Sequence, residues 1–347
     1  MTFAITCFQD AVSHGFDTVI DVRAPAEFAE DHIPGAINLP VLDDAQRAEV
    51  GTLYKQVSPF TARKTGAALV ARNAADHIDG PLSEFDGGWR PLLYCWRGGQ
   101  RSNAFASILD QIGWRVSVIE GGYRSYRRSV SALLYDQPIT TPIILLDGNT
   151  GSAKTDLLHR VAARGGQVID LEGLANHRGS VFGAMGMQPP QKWFETKLAQ
   201  AISRLDPARP VLIEAESSKV GARVVPPALW TAMCAAPRIQ LAVAAPARAD
   251  YLVSAYDDII ADQSRLQDVI AALTPHQGAA RIATWQGMAR AKEFRDLAEQ
   301  LIIHHYDPRY GRHGAETATL GQVALSRLHP ADLDRAADQI LALMEPG

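Results

Sequence analysis

The sequence predicts an α/β protein of two domains, the second a parallel sheet covered by helices with a largely helical C-terminal part. Three observations carry that expectation. Apolar runs at residues 92–95 and 143–147 each end in a glycine-bearing loop that opens a helical pattern. The string Tyr135-Asp136-Gln137-Pro138-Ile139-Thr140-Thr141-Pro142 breaks the apolar pattern between them with two prolines. Beyond the break, strand and helix patterns alternate, which requires crossover connections and therefore a parallel sheet. A chain of 347 residues is long enough for two cores, placed here at residues 12–135 and 136–347.

The first domain reads as follows. Thr18-Val19-Ile20-Asp21-Val22-Arg23 is a buried strand, residues 24–30 a short helix, and His32-Ile33-Pro34-Gly35-Ala36-Ile37-Asn38-Leu39-Pro40 a turn into another strand. Leu92-Leu93-Tyr94 then leads into Cys95-Trp96-Arg97-Gly98-Gly99-Gln100-Arg101-Ser102. Backbone N–H groups of such a loop turn toward the sulfur, and the next helix adds its positive end. Arg97 and Arg101 add full charges. All of these favour thiolate, so Cys95 is expected to be a nucleophile beside an anion site spanning Trp96 to Ser102. The plainer alternative is a small buried cysteine at a strand end.

These strings together resemble the rhodanese family of sulfurtransferases, over about residues 12 to 135. The resemblance implies a rhodanese-like fold in which Cys95 carries sulfur or selenium as a persulfide-type intermediate. It gives Asp21, Arg23 and the Pro34-Gly35 turn a bracing role.

Bulk properties narrow the setting. The chain is 47% apolar and 21% charged, ordinary for a globular protein. Cys7, Cys95 and Cys234 are widely spaced and odd in number, which argues against a disulfide framework or a zinc site and suits a reducing compartment. The first residues lack a basic start and a sustained apolar stretch, and no run approaches membrane-spanning length. A cytoplasmic enzyme with no membrane partner is expected. A net charge of −4 gives no global sign of nucleic-acid binding. Residues 90–130 nevertheless hold seven arginines against two acids. That excess attracts phosphate, or else forms a solvated face. Within it Arg124, Arg127 and Arg128 flank Tyr123 and Tyr126, a mixture that suits tRNA phosphates and an unstacked base.

The second domain begins with the strand Ile143-Ile144-Leu145-Leu146-Asp147. Gly148-Asn149-Thr150-Gly151-Ser152-Ala153-Lys154-Thr155 follows, then a helix from Asp156. Strand, loop, Lys-Thr and helix form the context of a Walker A phosphate loop, so a P-loop NTPase-like fold is expected. Its amides would cradle a diphosphate, Lys154 neutralise charge and Thr155 bind Mg²⁺. Ala153 stands where the motif has glycine. Further strands are read at residues 167–172, 210–216 and 239–244, with helices at 189–205 and 227–234. Glu214 and Glu216 lie at a strand end where a magnesium-holding acid belongs, though either could be an ion-pair residue. His177 and Arg178 follow another strand end and are candidates for diphosphate or RNA contact. His304, His305, Arg309, Arg312 and His313 form a second basic cluster without metal-ligand spacing.

Three further strings extend the likeness along nearly the whole chain: residues 170–180, residues 188–195 opening with Gln-Pro-Pro, and Ile213-Glu214-Ala215-Glu216-Ser217-Ser218-Lys219-Val220-Gly221. With Tyr306-Asp307-Pro308-Arg309-Tyr310 and the Cys95 loop, they resemble the family of tRNA 2-selenouridine synthases. The resemblance implies a transferase acting on 2-thiouridine at the tRNA wobble position. Geranyl diphosphate would alkylate the sulfur, and selenium from selenophosphate would then replace the geranylthio group. Residues 148–155 with His177 and Arg178 would hold the diphosphate. Cys95 would receive selenium, with Arg97, Arg101 and the loop amides on the phosphate. Selenophosphate synthetase is a candidate partner. The chain departs from the family at Ala153, Ala215 and Ser218, where the family tends to have glycine, an acid and an arginine. Two alternatives stay open on the sequence: an ATP-using tRNA sulfurtransferase, and a non-catalytic RNA-binding protein with a decayed phosphate loop.

Overall fold

The computed structural model describes residues 1–310 and 317–345, with the side chain of Tyr310 also outside it. Arg312 and His313 of the second basic cluster therefore lie outside the described residues. The chain forms two compact units: Met1–Gln137 with Pro189–Arg204, and Pro138–Gln188 with Leu205–Gly347. The sequence reading placed the helix beginning near residue 189 in the second domain. The structure packs it on the first, because its inward face (Phe194, Glu195, Thr196, Leu198, Ala199) is buried there. Tyr126 Oη donates to Thr196 Oγ1 at 3.0 Å and Tyr135 Oη to Glu195 Oε1 at 2.8 Å.

The first unit has five strands: β1 (Thr2–Phe3), β2 (Thr18–Asp21), β3 (Ile37–Asn38), β4 (Pro91–Tyr94) and β5 (Ser117–Ile119). They form one parallel sheet in the order β1-β5-β4-β2-β3. The central strand β4 is buried at every residue, as a strand covered on both faces must be. Helices Asp44–Gln56 and Pro59–Asp79 pack on one another beside a core that includes Ile20, Leu93, Phe105 and Leu109.

A charged layer lies inside this unit. Arg23 and Asp21, both essentially unexposed, pair at 2.6 Å, and Arg23 Nη2 also donates to the Asp31 carbonyl at 2.6 Å. Asp31 accepts from Tyr123 Oη at 2.8 Å, while its Oδ1 meets no hydrogen-bond geometry among the described residues. Burial pushes the Asp31 carboxyl up to about 6, more than Thr196, Tyr123, Arg127 and Arg23 pull it down. The folded protein thus holds a proton that the unfolded chain releases from about pH 3.8 upward. Stability is highest below pH 3.8 for this group and falls as pH rises to about 6, by about 3 kcal/mol. Urea unfolding at pH 4 and 7.5 checks this. Asp31→Asn should lose that component of the pH dependence, and an unchanged slope would refute it.

The second unit holds β6 (Ile143–Asp147), β7 (Gln167–Ile169) and β8 (Val211–Glu214), then the hairpin β9 (Lys219–Val220) and β10 (Arg223–Val224). β11 (Arg238–Val243) and β12 (Thr319–Leu325) follow. Its main sheet runs β12-β11-β6-β8-β7, parallel throughout. The strand expected over 167–172 stops at Ile169. Asp170 accepts from the Gly173 amide at 2.6 Å and so caps a short helix, Leu171–Ala175. β12 was not anticipated. Helices between Ala245 and Leu301 enclose a core of their own around Ile270, Ile282 and Trp285, into which Phe182 inserts. Among the described residues no helix is long and apolar enough to cross a membrane.

Candidate functional site

Cys95 follows β4 directly and is 3% exposed. Ser102 Oγ donates to its sulfur at 3.4 Å from the first turn of helix Gln100–Ile112. That turn also presents amides without intrahelical partners, so the loop can receive an anion. The helix Tyr123–Ser131 closes over the loop from the other side. Tyr123 N donates to the Cys95 carbonyl at 2.7 Å and Arg124 N to the Trp96 carbonyl at 3.1 Å. Gly122, at φ +60°, makes that approach possible, since a Cβ there would collide with the Cys95 carbonyl oxygen.

The arginines divide into two groups. Arg101 donates to both Glu27 oxygens, at 2.9 and 3.3 Å, so it braces the loop against helix Pro25–Glu30. Arg127 pairs with the buried Glu195 and lies 3.9 Å from Asp31. Arg97, Arg124 and Arg128 are exposed, and their side chains make no hydrogen bond or ion pair among the described residues. Tyr123 and Tyr126, 2% and 0% exposed, do not present their rings to a base. The expected tRNA group thus reduces, as free cations, to Arg124 and Arg128. Among the loop residues, Gly98 and Gln100 are exposed, Gly99 half-buried and Ser102 buried.

In the second unit the loop between β6 and helix Lys154–Ala163 lies against a cavity of about 1670 Å³. Thr150, Gly151, Ser152, Ala153, Lys154 and Thr155 line it, whereas Gly148 and Asn149 do not. Lys154 Nζ donates to the Gly148 carbonyl at 2.6 Å, and Asn149 Nδ2 to Asp307 Oδ1 at 3.0 Å.

Ala153 occupies the left-handed region, φ +60° and ψ +33°, which explains why the motif favours glycine there. Its side chain is 4% exposed and packs in the core with Leu157, Leu158 and Val161. The backbone penalty is about 1–2 kcal/mol. Burial of the methyl, about 0.8 kcal/mol, and the lower entropy of an unfolded alanine offset most of it. Ala153→Gly should therefore change unfolding free energy by less than about 1 kcal/mol. A larger gain in urea unfolding would show that strain dominates.

Carboxylates gather beside Thr155. Its Oγ1 donates to Glu172 Oε2 at 2.9 Å. Burial first, and the Glu216 charge second, push the Glu172 carboxyl up to about 8. Gly179 lies against both, for a Cβ on it would touch an oxygen of Glu172 and of Glu216. Glu172 was not among the expected site residues. Its signal, an acid two residues past Asp170, was masked by reading a strand where a capped helix begins. Glu214 does not join this group. It is 0% exposed, accepts from Leu171 N at 3.2 Å, and burial holds its carboxyl well above the usual range. It braces the β7–β8 end, while Glu216 lines the cavity.

His177 and Arg178 part company. His177 Nδ1 accepts from the Gly179 amide at 3.1 Å, its strand bridge to Ala184 folds the loop, and burial lowers its pKa. Arg178 lines the cavity but is held by Asp258 at 3.0 Å and lies over the Tyr256 ring. Of the second basic cluster, His305 and Arg309 also line the cavity, and burial brings the His305 pKa down to about 4. Among the described residues no group of three or more His, Cys, Asp or Glu is arranged to hold a metal.

Comparison with known proteins finds two domain families along the chain. A family profile described as the tRNA 2-selenouridine synthase AAA domain matches residues 141–284, and one for the rhodanese-like domain matches residues 6–129. The chain is 37% identical over 242 residues to a tRNA 2-selenouridine synthase of Shewanella halifaxensis, covering 69% of this chain and 65% of that protein. To one of Cupriavidus necator it is 35% identical over 326 residues, covering 84% and 87%. To one of Nitrosomonas europaea it is 38% identical over 213 residues, covering 60% and 55%. With both domain profiles in order and a relative matched over most of its length, the chain belongs to the tRNA 2-selenouridine synthase family.

Proposed function

We propose that this protein converts 2-thiouridine at the tRNA wobble position to 2-selenouridine in two steps. The second unit transfers a geranyl group from geranyl diphosphate to the sulfur, which makes that sulfur a better leaving group. The Cys95 unit then directs selenium from selenophosphate to C2. The C2–Se bond forms, the C2–S bond breaks and geranylthiolate departs. Electron balance narrows the role of Cys95. An S–Se adduct would require two electrons to be accepted, whereas thiolate attack on phosphorus forms an S–P bond, breaks the P–Se bond and frees selenide without a redox partner; water then cleaves the S–P bond, releasing phosphate and restoring the Cys95 thiol. The loop amides and Arg97 would hold the phosphoryl group during that attack.

One observation carries this reading: the mixed lining of the 1670 Å³ cavity. Lys154, Thr155 and Arg178 share it with Trp230, Met233, Leu252 and Tyr256. A prenyl diphosphate needs both kinds of surface, an anion cradle and an apolar wall. The residues also fit Mg²⁺. Thr155 Oγ1 and the Glu172 and Glu216 carboxylates are oxygen donors of the hard kind it takes, with substrate phosphates supplying the rest. Such an ion would neutralise charge on the leaving diphosphate.

Mass spectrometry of the wobble nucleoside tests the proposal. Purified protein is incubated with 2-thiouridine tRNA, Mg²⁺ and geranyl diphosphate, and then with selenophosphate. S-geranyl nucleoside followed by 2-selenouridine is the expected result. Formation of neither product would overturn the reading.

A further inference from the structure

The structure holds an exposed tryptophan beside the Cys95 nucleophile that nothing in the anion chemistry requires. Trp96 is 37% exposed, and its indole stacks on Tyr123 with ring centroids 5.3 Å apart and planes at 26°. Tyr123 is itself fixed. The Arg23 guanidinium lies 4.0 Å from its ring centroid, and its hydroxyl donates to Asp31 at 2.8 Å. The Trp96 carbonyl is tied down by the Arg124 amide. A layered stack of Arg23, Tyr123 and Trp96 thus rises from the buried charged layer and ends in a flat aromatic surface at the cysteine loop. Arg97 follows Trp96 in the chain and the Arg124 amide holds the Trp96 carbonyl; both side chains are exposed and without partners among the described residues.

We infer that Trp96 is a stacking seat for the unpaired wobble base, holding the ring within reach of Cys95 while Arg97 and Arg124 take adjacent phosphates. A base that reacts at C2 must leave its stack, and a rigid aromatic face offsets that cost at little entropic expense. Nearby guanidinium groups suit the backbone of a single strand. The sequence reading assigned stacking to Tyr123 and Tyr126. Their burial transfers it one layer outward, with Tyr123 as the support. The inference rests on the tRNA-directed reading above and adds the residue that receives the base.

A double-mutant cycle tests it. Dissociation constants are measured for two anticodon stem-loop RNAs, one with 2-thiouridine at the wobble position and one abasic there. The proteins are wild type, Trp96→Leu, which keeps apolar bulk without a flat ring, and Trp96→Tyr, which restores one. Removing the base should weaken wild-type binding roughly 10-fold or more, and Trp96→Tyr binding nearly as much. It should change Trp96→Leu binding little. An equal abasic penalty in wild type and Trp96→Leu would place the base elsewhere and overturn the inference. So would a Leu variant that weakens both RNAs alike, because the effect would then belong to the loop. If wild type forms 2-selenouridine and the cycle still shows no coupling, Trp96 alone is refuted. If wild type forms no product, the broader reading fails first.

Discussion

Replacing Cys95 by serine is expected to leave S-geranyl nucleoside accumulating and to cut 2-selenouridine formation by on the order of 10³ or more. The two activities are assigned to separate compact units, so loss of one nucleophile should not stop the other step. Serine is a small change at this position. The site is 3% exposed, the neighbouring Ser102 hydroxyl can donate to oxygen as it does to sulfur, and the carbonyl bonded by Tyr123 N is untouched. What changes is the nucleophile. A thiol ionises appreciably near neutral pH and a hydroxyl does not, and among the described residues the side-chain hydrogen bond to Cys95 comes from Ser102, which is no general base. The measurement is the nucleoside profile of a single incubation with both donors. Expected are a persistent S-geranyl peak and a missing selenium peak. Wild-type 2-selenouridine from the serine variant would remove Cys95 from the chemistry. Loss of both products together with a lowered melting temperature would mean that the substitution disturbed folding, and Cys95→Ala would then be read in its place.

The sequence was legible wherever local chemistry dictates local geometry. The run Ile143-Ile144-Leu145-Leu146-Asp147 is a strand at the expected residues, because a parallel strand buried on both faces leaves an unbroken apolar signature. The cysteine loop was readable for the same reason: glycines and a strand end fix its shape regardless of what lies far away. Features decided by distant partners were not readable. Nothing in Arg97 and Arg101 separates them as types, yet Arg101 finds Glu27 and Arg97 finds no partner among the described residues. Arg127 is drawn inward by Glu195, which lies 68 positions away and belongs to a helix that follows a segment of the other unit. Glu214 and Glu216 differ by one pleat period. Alternate residues should share a face, but the strand ends at Glu214, so Glu216 is free to turn to the cavity. β12 escaped notice because Thr319-Leu320-Gly321-Gln322-Val323-Ala324-Leu325 carries a weak alternation and a glycine, and distant partners hold it: β11 along its edge, and Leu333 and Ile340 in the core that Val323 and Leu325 share.

Lys154→Ala is expected to separate the steps in the opposite sense. Geranylation should fall by roughly 10²- to 10³-fold, the usual cost of removing one preorganised charge from a developing anion. Selenium incorporation into tRNA geranylated beforehand should continue at the wild-type rate. Lys154 stands at the start of the helix that follows β6, and its ammonium reaches back to the Gly148 carbonyl across the mouth of the loop. In that position it can follow the diphosphate from ground state to leaving group. The helix N-terminus alone offers only partial charge, about half an elementary unit, so it cannot replace the lysine. Lys154→Arg retains the charge but not the compact ammonium, and recovery there should be incomplete. Alanine is a good helix former at this position, so the fold should survive. The assay supplies geranyl diphosphate and 2-thiouridine tRNA in one arm and pre-geranylated tRNA with selenophosphate in the other. Equal loss in both arms would mean that the phosphate loop serves selenophosphate as well, and the division of labour between the units would have to be abandoned. Undiminished geranylation would move the diphosphate away from this loop altogether, leaving the mixed lining of the cavity without its proposed ligand.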